Sequence, residues 1–171
     1  MRFAHLKEVY MISKGLAIKV LNEALATGGD YAEIYLEDTD AGSVLLENGK
    51  VETAGRRNVF GAGIRILLKT ASVYGYTSDI SEKSLLALAH GLAARFTGTR
   101  LFTVHSIEKQ HVKVVNKIDD HIKDVAIEDK IALLRECYNA ANAVDKRVVR
   151  IQDAFTDDYK QIEIFSAEGE I

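Results

Sequence analysis

The dipeptide Asn48-Gly49 lies between two short runs of residues that each have the composition of a β-strand. Residues 43–47 precede the dipeptide and residues 50–53 follow it. A type I′ turn needs a positive φ at both central positions, and Asn followed by Gly meets that need at low cost. The sequence therefore predicts an antiparallel hairpin that turns at these two residues.

Further strands are predicted on both sides of this hairpin. Residues 31–37 alternate between apolar and polar side chains with a period of two, and residues 38–42 are expected to end that strand. Residues 64–68 and 72–77 have the pattern of two more strands, joined around residues 69–71. Together these segments predict an antiparallel sheet of four to five strands.

Two amphipathic helices flank the predicted strands. Apolar residues recur at helical spacing between Ser13 and Thr27, and two glycines follow. A second helix is expected to begin after Asp79 or Ser81, either of which can accept hydrogen bonds from its first amides, and to end near residues 97–99. Helix, sheet and helix together predict an α+β fold with both helices on one face of the sheet.

The rest of the sequence contains a polar stretch and a second pattern of helix and strands. Residues 100–125 are interpreted as a polar connector. Residues 126–143 predict a third helix, and residues 148–155 and 160–165 predict a β-hairpin around residues 156–159.

The predicted organisation has three parts. Residues 1–99 form a helix-sheet-helix domain, residues 100–125 are the connector, and residues 126–171 form a helix plus β-hairpin. The last strand-like run is followed by no closing helix. We therefore expect the third part to lead toward a C-terminal half that is missing from the sequence.

Charge and composition argue against several classes of protein. The 171 residues include 22 basic and 25 acidic ones, a formal net charge of -3, which offers no electrostatic footprint for nucleic acid or for an anionic membrane. The complete lack of proline argues against a proline-rich linker or recognition tract. Because no apolar run has the length of a membrane span or the pattern of a signal peptide, we place the chain in the cytoplasm.

Five histidines raise the question of a metal site. They are His5, His90, His105, His111 and His121. None has another histidine three to five residues away, so the sequence predicts no metal site and no bound cofactor. We expect His105 and His111 to be solvated and His90 to be a partly buried structural residue.

Other residues that could carry chemistry have ordinary structural interpretations. The lone Cys137 is expected to be a small buried residue of the third helix rather than a reactive thiol. Gly61 and Gly63 precede a strand and lack a third glycine, which favours a bulge or a close backbone approach over a dinucleotide site. Arg65 is expected on the open face of a strand.

Four glutamates fall at alternating strand positions. They are Glu33, Glu37, Glu47 and Glu52. This pattern is typical of a solvated sheet face rather than of a catalytic acid and base. The residues alone therefore predict no catalytic site.

Four segments share their order and spacing with a known family. They are residues 29–37 (GDYAEIYLE), 46–52 (LENGKVE), 61–66 (GAGIRI) and 74–81 (YGYTSDIS). They resemble the amino-terminal half of the TldD/PmbA proteins, also called modulators of DNA gyrase. Residues 164–169 (IFSAEG) resemble the segment that ends that half.

The resemblance implies a cytoplasmic zinc metallopeptidase system of prokaryotes, in which TldD-type and PmbA-type subunits form dimers and cleave unfolded or extended polypeptides. In the family, TldD-type chains carry the zinc ligands in a His-Glu-x-x-x-His helix of the carboxy-terminal half, which this sequence lacks. No catalytic, substrate-binding or zinc-binding residue is therefore carried over. The aromatic strand at residues 30–33 favours the TldD type.

Three interpretations of function are open. The first is a non-catalytic part of such a peptidase that contributes to substrate guidance and to assembly with a homodimeric or heterodimeric partner; its sheet would pair with extended substrate or be buried against the missing half. The second is a free-standing binding or regulatory module. The third is a small enzyme that uses Cys137 or a histidine, and it lacks a recognisable activating partner.

Overall fold

The computed structural model of the protein describes residues 11–108 and 124–168. Its helices and strands are α1 Lys14–Ala24, β1 Tyr31–Glu47, β2 Lys50–Leu68, β3 Ala71–Thr77, α2 Glu82–Ala93, α3 Ile127–Asn142 and β4 Gln152–Glu168. None of the described helices is long and apolar enough to cross a lipid bilayer. The predicted α+β class is confirmed.

The four strands form one antiparallel sheet in the order β3-β2-β1-β4. β2 and β3 are paired from Ala62 opposite Thr77 to Leu68 opposite Ala71.

The described chain divides into two compact units. Residues 11–37, 60–108 and 162–168 belong to the first unit, and residues 38–59 and 124–161 belong to the second. Strands β1, β2 and β4 each contribute residues to both units.

The β1-β2 hairpin turns at Asn48 and Gly49, whose φ angles are 50° and 76°. Both angles are positive, so the predicted turn is confirmed. The main-chain N–H of Asn48 donates to the carbonyl of Ile151 at 2.8 Å, and its side-chain oxygen accepts from the N–H of Ile151 at 2.9 Å. Gly49 is also constrained by packing, because a Cβ there would lie 2.9 Å from the ring of Tyr138.

The core of the first unit lies between two helices and one face of the sheet. Alternate residues of β1 and β2 face α1 and α2, as predicted. The large buried members are Val20, Leu21, Leu25, Ile34, Leu36, Ile64, Ile66 and Leu85. Each aliphatic side chain of this kind contributes about 1.5–3 kcal/mol through burial, so this layer holds the helices in place.

Both helices of the first unit begin after a serine that caps them. Ser13 Oγ accepts from the N–H of Leu16 at 3.1 Å, and Ser81 Oγ accepts from the N–H of Ser84 at 3.4 Å. Hydrogen bonds from the Ser84 hydroxyl and from Ser81 stabilise the carboxylate of Asp79 and lower its pKa. The predicted start of the second helix is confirmed.

The second unit has a smaller core between α3 and strands β1 and β4. Leu134 of α3 is buried with Val44 and Leu46 of β1, and Phe155 of β4 packs against them. α3 begins and ends within one residue of the predicted helix. Its buried stripe is narrow, since Lys130 and Leu134 are its buried residues.

The prediction that residues 38–42 end the first strand is wrong, because β1 continues through them. The polar side chains there have partners across the strands. Asn58 Nδ2 donates to Asp38 at 2.7 Å, and Arg56 Nε donates to Asp40 at 3.1 Å. These hydrogen bonds hold turn-forming residues in an extended conformation, which the local pattern does not reveal.

The predicted hairpin at residues 148–155 and 160–165 is also wrong. The structure has a single strand, β4, that passes through the expected turn at residues 156–159. The alternation of more and less exposed residues continues through that stretch. Asp157 faces inward and pairs with Lys130 of α3, and this buried partner outweighs the local turn preference.

The predicted connector is described only at its two ends. Residues 101–108 have no regular secondary structure, yet Val104 is buried there. Its N–H donates to Asn22 Oδ1 and its carbonyl accepts from Asn22 Nδ2, both at 2.9 Å. The strand-like alternation at residues 111–114 lies outside the described residues, and the division of the chain at residues 99 and 125 stays a prediction.

Candidate functional site

In the described part of the chain, a stretch of β2 has no neighbouring strand along its outer side. β3 pairs with β2 from Ala62 to Leu68, and β1 lies on the other side of β2. Within the described residues, the main chain of residues 50–59 therefore meets no further strand on that outer side; we call this segment the open edge. All of residues 50–59 are exposed. Such an edge is a template for pairing with another extended chain.

A cavity of about 680 Å³ lies beside the open edge. Gly55 of the edge lines it, and a Cβ built on Gly55 would meet no atom within 4 Å. A second cavity of about 330 Å³ shares Gly55 and Arg56 with the first and reaches the start of α3. The larger cavity is lined by Thr39, Ala41, Gly42, Ser43, Gly55, Arg56, Arg57, Thr156, Asp157, Asp158 and Lys160.

A buried ion pair lies at this cavity. Lys130 Nζ is 2.6 Å from Asp157 Oδ2, and the two side chains are 4% and 5% exposed. The carboxylate of Asp157 lies against the main chain of Gly42, where a Cβ would be 3.0 Å from both oxygens. Lys130 Nζ also lies 5.7 Å from the centre of the Phe155 ring. Gly42 thus lies against the carboxylate of the pair and the Phe155 ring lies near its ammonium group. The two charges of the pair neutralise each other.

The remaining charges of the cavity are mostly positive. Arg56 is paired with Asp40 at 3.1 Å. Arg57 forms no hydrogen bond or ion pair with any described residue, whereas Lys160, the third basic side chain of the lining, has an interaction of its own. Asp158 is exposed and is the acidic lining residue without a basic partner in the described part of the chain. Arg57 is therefore the basic lining residue whose charge no described residue offsets.

The ion pair was not predicted from the sequence, although the sequence contains one signal for it. Lys130 lies on the apolar stripe of α3, between Ile127 and Leu134. A lysine in a buried stripe requires an acidic partner, because an unpaired buried charge is costly. The partner itself, Asp157, is hidden in a stretch that has turn composition.

The predicted histidine roles are partly wrong. His90 is exposed, not partly buried, and its Nδ1 lies 2.7 Å from a carboxylate oxygen of Glu23. It follows the buried Ala89 by one residue, a rotation of about 100° that takes it away from the core. His105 is exposed, as expected. His5, His111 and His121 lie outside the described residues.

The prediction that Cys137 is buried is wrong as well, because its side chain is exposed. Cys137 lies at the margin of the narrow stripe of α3 that packs against strands β1 and β4. Helical periodicity gives the direction of that stripe but not its width.

The glycine pair and the strand charges have structural surroundings. A Cβ on Gly61 would lie 2.5 Å from the carbonyl oxygen of Thr77, so the predicted close backbone approach is confirmed. Arg65 is exposed, as expected, and pairs with Glu33 at 3.4 Å.

The other three glutamates of the strands each have different surroundings. Glu37 accepts a hydrogen bond from the Tyr35 hydroxyl at 3.0 Å, Glu47 pairs with Arg150 at 2.7 Å, and Glu52 is exposed.

Sequence models of two protein domains match the chain. Residues 32–94 match PmbA/TldA metallopeptidase domain 1. Residues 120–171 match the PmbA/TldA metallopeptidase central domain. Together the two matches span more than half of the chain.

Curated proteins with similar sequences include two named metalloprotease TldD homolog. They come from Buchnera aphidicola subsp. Acyrthosiphon pisum and subsp. Schizaphis graminum. The chain is 23% identical to them over 145 and 142 residues. Each alignment covers 83% of this chain and 29% of the relative, so the chain spans less than a third of the length of these relatives.

Solved structures with a similar fold include a candidate modulator of DNA gyrase from Bacteroides thetaiotaomicron, with a TM-score of 0.65 and 17% sequence identity. The match covers 88% of this chain and 36% of that protein. TldE from Thermococcus kodakarensis has a TM-score of 0.57 and 13% identity over 90% of this chain and 37% of its own. At these identities the likeness shows the fold alone.

The metallopeptidase descriptions of the two domain models imply a metal ion. A catalytic zinc takes three protein ligands from His, Cys, Asp or Glu. In residues 11–108 and 124–168 no group of three such side chains is placed to hold a metal ion. The described part of the chain therefore does not fit a zinc site.

Proposed function

The chain belongs to the PmbA/TldD metallopeptidase family, and on that premise we propose that it is the non-catalytic, amino-terminal part of a peptidase that acts on unfolded or extended polypeptides. Its roles are to guide the substrate and to contribute to subunit assembly. The open edge at residues 50–59 is the observation that carries this proposal.

The open edge would hold a polypeptide by adding it to the sheet as a further strand. Main-chain N–H and C=O groups on the outer side of β2 would pair with those of the peptide. Such hydrogen bonds are made by every peptide unit, so this binding tolerates many sequences. It also requires an extended peptide, which a folded protein does not offer.

Cleavage of the peptide bond is assigned to parts of the protein outside this sequence. A bound zinc ion would supply a polarised carbonyl and an activated water there. The residues of this chain would instead hold the peptide extended before it reaches that site. Ordering the substrate in advance lowers the entropic cost of the later step.

A second TldD/PmbA-type subunit, identical or different, is the proposed protein partner. The names TldD and TldE among the relatives support a family with more than one type of chain. We place the assembly in the cytoplasm and propose neither nucleic acid nor membrane as a partner, since the net charge of -3 attracts neither.

The proposal is tested with a ten-residue extended peptide and a copy that carries N-methyl groups on alternate residues, which cannot complete the main-chain pairing. The full chain is used, and amide hydrogen exchange is followed with each peptide. We expect the unmodified peptide to slow exchange within residues 50–59 and the methylated copy to leave it unchanged. Equal protection by both peptides, or by neither, contradicts strand pairing at the open edge.

A free-standing binding module is the alternative, and the presence of a buried core in each described unit favours it. The two functions differ in what happens after binding. A peptidase part must associate with a TldD-type subunit and speed cleavage of the bound peptide. A module binds the peptide equally well and does neither, as size-exclusion chromatography and a cleavage assay would reveal.

A further inference from the structure

We propose that the cavity beside Gly55 is a subsite for an acidic side chain of the extended polypeptide. This inference rests on the proposed function, because it states which peptides the open edge prefers. Main-chain pairing alone has no sequence preference, so any preference must come from side chains next to the edge.

The charge of the cavity gives the first argument. Asp157 is neutralised by Lys130 at 2.6 Å, and Arg56 is paired with Asp40 at 3.1 Å. Arg57 has no partner among the described residues, so its guanidinium is available for a carboxylate. Guanidinium and carboxylate groups form paired, charge-assisted hydrogen bonds that are stronger than neutral ones.

Size and polarity give the second argument. The cavity measures about 680 Å³ and is open to solvent on one side, so it has room for a complete glutamate side chain. Ser43 and Thr156 contribute exposed hydroxyl groups to its lining. A hydroxyl can donate a hydrogen bond to a carboxylate oxygen.

Gly55 explains how a side chain could enter. It belongs to the open edge and to the lining of the cavity, and it contributes no side chain between the two. Open space surrounds the position where its Cβ would be. A peptide paired with the edge at this point would lie next to the cavity.

Basic side chains are the main competitors for the same space. Arg57 and Lys160 would repel a basic side chain. Among the described residues, Asp158 is the acidic lining residue that is not already neutralised by a partner. At the adjoining start of α3, Glu128 and Asp129 of the first turn already offset the positive end of the helix dipole. We therefore assign the acidic preference to the larger cavity and not to the helix end.

The test uses three peptides that are identical except for one central residue, which is Glu, Gln or Lys. Binding to the full chain is measured by fluorescence anisotropy at low and at high salt. We expect the Glu peptide to bind about tenfold more tightly than the Gln peptide, the size of one good charge-assisted hydrogen bond. High salt should reduce that preference, because exposed charges are screened.

Variants then locate the preference. Arg57→Gln removes the unpartnered cation, and Gly55→Val fills the cavity from the edge without strain, because Gly55 has no positive φ and β-branched residues suit strands. Arg135→Gln is the matched control, an exposed arginine on α3 whose loss changes the net charge equally. Circular dichroism melting establishes that each variant is folded.

Three results have distinct meanings. Loss of the Glu preference in Arg57→Gln and Gly55→Val, with the preference kept in Arg135→Gln, supports the subsite. Equal affinity for all three peptides, with residues 50–59 still protected from exchange, overturns the subsite and leaves the proposed function standing. If no peptide binds at all, the proposed function fails and the subsite fails with it.

Discussion

The ammonium group of Lys130 and the carboxylate of Asp157 face each other at 2.6 Å in the interior of the second unit, each on a side chain that is almost completely buried. The second oxygen of Asp157 has no hydrogen-bond partner among the described residues. A pair of this kind recovers its desolvation cost only while both partners are present.

Removing one partner of the pair should therefore be costly. We expect Lys130→Met to lower the free energy of unfolding by about 3–5 kcal/mol, because Asp157 is left as an isolated buried charge. The double variant Lys130→Met/Asp157→Leu should recover most of that loss, since no charge is left buried. Urea unfolding followed by circular dichroism measures both, and the exposed Lys146→Met serves as control. A double variant as unstable as the single one would contradict this account.

Two glycines of the second unit should respond oppositely to alanine. Gly49→Ala should destabilise by more than about 1 kcal/mol, because φ is 76° and the added Cβ would lie 2.9 Å from Tyr138. Gly55→Ala should be neutral or stabilise by up to about 1 kcal/mol, because its Cβ meets nothing and the unfolded chain becomes less flexible. Thermal unfolding compares the two, and equal destabilisation would show that the turn is not the cause.

Stability should depend on pH through Glu163. Burial raises the pKa of this carboxyl, against the opposing hydrogen bond that it accepts from the N–H of Met11 at 2.9 Å. A raised folded-state pKa favours the protonated form, so its contribution is complete below the unfolded pKa and is lost as the pH rises through the folded value.

Glu163→Gln should therefore match the parent protein near pH 4 and exceed its melting temperature at pH 7. The amide oxygen of Gln can still accept from Met11, so the hydrogen bond is preserved. Glu52→Gln, at an exposed position, is the control and should show no such trend. A difference between Glu163→Gln and the parent that stays constant from pH 4 to pH 7 would rule out the titration of this group.

Cys137 should behave as a surface thiol. We expect the folded protein to react with a thiol reagent as fast as the urea-unfolded protein does, because the side chain is exposed. Cys137→Ser should change the free energy of unfolding by less than about 0.5 kcal/mol. The substitution should also leave peptide binding unchanged, and a loss of binding would implicate the thiol in function.

Local signals predicted the helices and the first hairpin. The serine caps at Ser13 and Ser81 and the Asn48-Gly49 turn act within three residues of themselves, so the pattern contains all that is needed. The continuous course of β1 and β4 was missed for the opposite reason. Asp40 and Asp157 are held extended by Arg56 and Lys130, which are distant in sequence, and composition cannot identify such partners.

The candidate site was less predictable than the fold. Among the described strands, the open edge exists because β3 is shorter than β2 and pairs with it only from Ala62 onward. Strand length and pairing depend on the whole sheet, so no local pattern reports an unpaired edge. Gly61 is the local signal that lies closest in sequence to the open edge, and it allows the close approach of Thr77 where the pairing of β2 with β3 begins. The exposure of Cys137 and His90 depends on how much of each helix its neighbours cover, which periodicity does not measure.

The open edge also bears on how the protein avoids aggregation. An unpaired strand can join the same strand of another molecule, and repeated joining leads to insoluble fibres. Arg57 lies near the middle of this edge. Two copies aligned edge to edge at this point would bring their Arg57 side chains together, and like charges facing each other across strands repel. The positive charge that attracts an acidic peptide would thus also keep concentrated solutions of the protein from precipitating.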